Sequence, residues 1–164
     1  MKHAYALNPG LILAALAPGE GLGEQLSRLL DFYEADAAVV ATAIGSLDQL
    51  VFTTAQLEPG GSATYALPTR IDGPLEIAAL QGNLGRSNDG TPHLHLHGAF
   101  VRSDGSVVAG HFIEGRVLVT IEVGLLLGAG LRWLRTRSPT VNGVTLPIFD
   151  PQCLAHQYNS REVQ

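Results

Sequence analysis

The chain carries a single cysteine, Cys153, in 164 residues. One thiol excludes an internal disulfide framework and fits a reducing cytosol. Cys153 itself reads as an ordinary buried or tail residue. No cysteine pair, phosphate-cradling glycine loop or nucleophile motif is evident. Basic charge is scarce: 10 Lys and Arg stand against 15 Asp and Glu, a formal net charge of −5. Strong non-specific nucleic-acid binding draws on clustered Lys and Arg that displace counterions. The nearest cluster here, Arg132, Arg135 and Arg137, reads as a solvated strand or turn. No apolar run is long enough to cross a bilayer as a helix. Residues 11–17 are apolar but few, and Pro18-Gly19-Glu20 follows where a signal peptide would place its cleavage site. The expectation is a cytoplasmic protein without a signal peptide.

Histidine is where the sequence is unusual. Four of six histidines fall within or just after Thr91-Pro92-His93-Leu94-His95-Leu96-His97-Gly98: His93, His95, His97 and then His111. Alternation of His with Leu is a strand pattern, so three imidazoles share one face and Leu94 and Leu96 take the other. Residues two apart on a strand are separated by about 6.6 Å and four apart by about 13 Å. Zinc–nitrogen bonds are about 2.0–2.1 Å. Two neighbouring imidazoles can converge on one ion, and a third ligand should come from another strand. Val101-Arg102-Ser103-Asp104-Gly105-Ser106-Val107 is a hairpin signal. A two-residue loop would set His97 opposite Phe112 and turn His111 away. A three-residue loop, with Gly105 left-handed, sets His97 opposite His111 on the same face. The three-residue loop is expected. The competing reading of the row is a polar strand face, or imidazoles satisfied by backbone carbonyls.

The rest of the chain reads as one domain, residues 1–164, with a core at about 11–127. Residues 11–17 form a strand. Leu22, Leu26, Leu29, Leu30 and Tyr33 then fall at helical spacing. Strands follow at 35–44, 49–57, 63–67, 75–84 and 116–127, separated by turns at 45–48, 59–62, 72–74 and 114–115 and by a loop at 85–90. Leu131, Trp133 and Leu134 suggest a last strand, with turns at Ser138-Pro139 and Asn142-Gly143. Residues 150–164 read as a polar tail, and His3 and His156 as surface residues. One helix near the amino terminus and many strands make an α+β fold with a mostly antiparallel sheet. The histidine hairpin is apolar on both faces beyond the histidines, with Leu94, Leu96, Phe100, Val108 and Phe112 on one and Ala99, Val101, Val107, Ala109 and Ile113 on the other. A single helix cannot cover both faces of a large sheet, so a homo-oligomer is expected.

In this order, Pro18-Gly19-Glu20, a helix, Ala43-Ile44-Gly45-Ser46-Leu47, Gly73-Pro74-Leu75-Glu76-Ile77, Gln81-Gly82, the histidine row, Asp104-Gly105, Ala109-Gly110-His111 and Thr120-Ile121-Glu122-Val123 resemble the plants-and-prokaryotes-conserved (PPC) domain. The resemblance covers about residues 11–127. It implies an α+β fold assembled as a trimer and carries a metal site onto His93, His95, His97 and His111. It also implies DNA association, because plant relatives follow AT-hook segments. This chain has no Arg-Gly-Arg-Pro hook and no basic arm, and Ala109 replaces the first glycine of the family's usual Gly-Gly-His.

Three functions follow as expectations. The first is a binding or regulatory module holding a divalent metal, zinc first, on His95, His97 and His111. His93 is then a substitute, or the partner of a ligand from another subunit. Ligation needs neutral imidazoles, so affinity should fall as pH drops through the ordinary histidine range near ~6.5. The second is a DNA-binding protein, by family analogy alone. The third is a metal-dependent enzyme in which an open coordination position activates water, with Glu122 as general base. The plainer role for Glu122 is a buried carboxylate orienting a histidine.

Overall fold

The computed structural model describes residues 10–61, 63–137 and 147–153. The elements run β1 (Gly10–Leu16), α1 (Leu22–Phe32), β2 (Ala38–Thr53), β3 (Ala55–Leu57), β4 (Ala63–Tyr65), β5 (Thr69–Ser87), β6 (Pro92–Arg102), β7 (Val107–Leu127), β8 (Leu131–Arg137) and β9 (Pro147–Cys153). Among the described residues there is one helix against nine strands, the mostly antiparallel α+β arrangement that the pattern implies.

Helix α1 forms because Leu22, Leu26 and Leu30 repeat on one side and are fully buried. It packs on β7 and β6. Its first turn has no capping side chain of its own, since Gly21 holds the N-cap position. The missing acceptor comes from Glu114, 91 residues away: the Gly23 N–H donates to its Oε1 at 3.0 Å. The Gly115 N–H donates to the same oxygen at 2.8 Å. A carboxylate there satisfies an orphan donor and meets the positive end of the helix dipole. Glu114→Ala is therefore expected to cost about 1 kcal/mol of stability, read as a lower denaturant midpoint with an unchanged slope. An unchanged midpoint would show that the cap contributes nothing.

Strand β7 is the spine. It pairs antiparallel with β2 over residues 111–127, with β6 over residues 107–112 and with β1 over residues 121–127. Pairing closes on itself, because β2 also pairs with β5 and β5 with β6. Leu47, Leu50, Leu84, Leu96, Phe100, Ile121 and Leu125 are fully buried and share one core cluster with the helix leucines. Phe100 stacks on Phe112 with ring centroids 6.4 Å apart.

Several expected breaks are absent. The chain does not turn at 45–48, 72–74 or 114–115. Strand β2 has partners on both sides, which carry it through register shifts between Gly45 and Leu47 and between Leu47 and Gln49. On β5, the cis Gly73–Pro74 pair falls within that second shift. A proline without an N–H is tolerated at such a bulge. Glu114 and Gly115 lie within β7, paired with Val51 and Leu50. The expected loop at 85–90 is shorter, with β5 running to Ser87. The polar tail was expected from residue 150, yet 147–153 form β9, paired with β8. The turns expected at 138–139 and 142–143, residues 154–164, and His3 and His156 lie outside the described residues.

Candidate metal centre

The site begins with the register of one hairpin. The Arg102 N–H donates to the Ser106 carbonyl at 2.8 Å, and the Gly105 N–H to Arg102 at 2.9 Å. Gly105 has φ +82°, so the loop is the three-residue form with its left-handed glycine. Asp104 secures it, accepting from the Ser106 N–H at 2.9 Å and hydroxyl at 2.6 Å. Those hydrogen bonds hold the Asp104 carboxyl below its ordinary range. The consequence is that His97 pairs with His111. Inward neighbours Leu96 and Phe112 are buried, which fixes the histidines on the outer face.

Three histidines converge. Ring centroids lie 5.3 Å apart for His95 and His97, 5.3 Å for His95 and His111, and 5.2 Å for His97 and His111. One nitrogen from each ring lies within 4.8 Å of the others. Tetrahedral zinc would bring such nitrogens to about 3.3 Å from one another, given bonds of about 2.0–2.1 Å. Small side-chain rotations close that gap, so the donor set fits a divalent ion. All three donors are imidazoles, which suits zinc, nickel, copper or iron. Three protein ligands on a four-coordinate ion leave one position open.

Two other candidates do not join this group. His93 lies at the start of the row, opposite Gly85, and is outside the cluster. Glu122 is eleven residues from His111 along β7, roughly 36 Å of extended strand. It pairs with Ala15 and Ile44 and lines a different cavity of about 260 Å³ with Leu13, Thr42 and Gly124. The expectation that Glu122 orients a histidine or serves as base at this site is corrected by that separation.

Glycines bring the strands close. A Cβ on Gly82, at φ +150°, would lie 2.1 Å from the His95 carbonyl oxygen. One on Gly110 would lie 2.5 Å from the Thr53 carbonyl. Ala109 is exposed beside it, so the departure from Gly-Gly-His is accommodated. One residue escaped the sequence reading. Tyr65 on β4 sets its ring against His111, with centroids 5.4 Å apart. Strand β4 is held in place by Thr53, whose hydroxyl donates to the Ala66 carbonyl at 2.7 Å. Nothing in the spacing of residues 63–67 signals this contact.

No curated protein sequence matches the chain. Among solved structures, a metal-containing protein from Archaeoglobus fulgidus is 26% identical with a TM-score of 0.74, covering 89% of this chain and 99% of its own. A plant- and prokaryote-conserved protein from Pyrococcus horikoshii is 25% identical with a TM-score of 0.70, covering 85% and 92%. A protein from Bacteroides thetaiotaomicron, named as a candidate DNA-binding protein, shares the fold at 22% identity and a TM-score of 0.69, covering 90% and 96%. A family model matches residues 7–127, which span the helix, the closed ring of strands and all three converging histidines. The chain belongs to the Plants and Prokaryotes Conserved (PCC) domain family.

Proposed function

We propose that the chain is a single-domain, cytoplasmic homotrimer that holds one divalent ion per subunit, zinc first, and acts as a binding or regulatory module. The observation that carries this reading is the convergence of His95, His97 and His111 from two strands. His93 is proposed as a reserve ligand, available to the ion or to a neighbouring subunit. The Archaeoglobus relative's description as metal-containing supports the same reading. Elemental analysis of purified, untagged protein tests it. About one equivalent of a transition metal per chain is expected, and protein that carries none and accepts none would refute it.

Assembly is supported by the outer face of β1, β7 and β2. Leu11, Leu13, Val39 and Ile44 are all exposed there in the single chain. Apolar surface of that kind marks a contact between molecules. Light scattering is expected to give three chain masses. A stable monomer at micromolar concentration would contradict it.

DNA association rests on the names of relatives, and the net charge of −5 argues against it. Binding to random duplex at about 150 mM salt is expected to be weaker than about 10⁻⁶ M. Sub-micromolar binding there would reverse the order of these two readings.

A further inference from the structure

We propose that a small monocarboxylate binds beside the three histidines, with Tyr65 donating a hydrogen bond to one of its oxygens. This rests on the metal reading above and adds the ligand to it. Charge is the first argument. The converging group contains imidazoles and no carboxylate. A divalent ion held by neutral ligands keeps its full charge, and an anion is the natural complement at the open position.

Tyr65 supplies the second argument. Its ring lies 5.4 Å from that of His111, centroid to centroid, on the separate two-stranded sheet of β3 and β4. Tyr65 is 46% exposed, so a ligand arriving from solvent can reach it. A phenol donates to a carboxylate in a charge-assisted hydrogen bond.

The floor beside the site supplies the third argument. Register-paired residues lie side by side on one face of a sheet. The row next to His97 and His111 is Ala79, Ala99 and Ala109. These methyl groups leave shallow apolar space for the carbon part of the ligand. Beyond them Val101 pairs with Val107, and Glu76 sits opposite Val101. That carboxylate, exposed and about 13 Å from His97 along the strands, is out of reach of a short ligand. An inorganic oxyanion gains nothing from the alanine row, and a dicarboxylate would set its second charge against those methyl groups, so a short monocarboxylate fits better than either.

Cobalt(II)-loaded protein tests this, because visible bands of the ion respond to a new ligand. Acetate, butyrate, succinate and inorganic phosphate are titrated in turn. Butyrate is expected to shift the bands and to bind about four- to tenfold more tightly than acetate, through partial burial of two further methylenes. Succinate and phosphate are expected to bind more weakly than butyrate. Tyr65→Phe should weaken butyrate about three- to tenfold, the loss of one hydrogen bond, with cobalt affinity unchanged. Bands indifferent to every carboxylate, phosphate binding as tight as butyrate, or a Tyr65→Phe protein with unaltered butyrate affinity would each overturn the proposal. Protein that takes up no cobalt would instead overturn the metal reading beneath it.

Discussion

His97→Ala protein is expected to fold and assemble as the wild type does and to lose its divalent ion. The imidazole lies on the exposed outer face, while its neighbour Leu96 is fully buried and fills the core. Truncating His97 therefore opens no cavity. It removes one of three converging nitrogens and leaves His95 and His111, whose rings stay 5.3 Å apart. Loss of a residue that merely orients a ligand typically costs 10- to 100-fold in metal affinity. Loss of the ligand itself should cost more than about a hundredfold. Equilibrium dialysis against a competing chelator reads this directly. An unchanged affinity would mean that the three imidazoles are a hydrogen-bonding face. Retention through His93 would show as a smaller loss, abolished in a His93→Ala, His97→Ala double variant.

Replacing Arg86 by Met is expected to produce the largest loss of stability outside the apolar core. The guanidinium is 14% exposed and ties the end of the helix to the sheet. It donates to the Ala35 carbonyl at 3.0 Å, to the Leu30 carbonyl at 3.3 Å and to the Gly90 carbonyl at 3.0 Å. It also pairs with Asp31 at 2.8 Å and Asp36 at 3.3 Å. Cationic donors at a helix carboxyl end satisfy orphan carbonyls and complement the dipole. Methionine keeps much of the stem but leaves those acceptors unmatched, at a cost of about 2–4 kcal/mol. Arg86→Lys should recover only part of it, because an ammonium cannot reproduce the planar fork. Denaturant unfolding checks both variants. A Met variant within about 0.5 kcal/mol of wild type would show that water replaces the guanidinium without loss.

What could be read from the residues depended on how local the deciding interaction was. The His-Leu alternation has a period of two, and the Ser103-Asp104-Gly105 loop carries its own turn chemistry. Face and register could therefore be worked out before any contact was known, and His97 does pair with His111. Helix α1 was equally legible, because Leu22, Leu26 and Leu30 repeat on one stripe. Strand lengths were not. Gly45, Gly73-Pro74 and Glu114-Gly115 look like breakers in isolation, but pairing on both sides absorbs them as irregularities within long strands. The same limit applies to Arg86, Glu114 and Tyr65. Each acts on a partner remote in sequence, and Arg86 had the appearance of a loop residue. Glu122 lies apart from the histidines because β7 runs on through Glu114–Gly115, where the expected turn would have folded the next strand back beside them.

The most direct test of the central claim is X-ray absorption at the zinc edge on zinc-loaded protein. Three nitrogen scatterers at about 2.0–2.1 Å, with the outer-shell pattern of imidazole rings, are expected. A sulfur shell at about 2.3 Å, or a first shell of oxygens alone, would place the ion elsewhere and contradict the assignment of His95, His97 and His111.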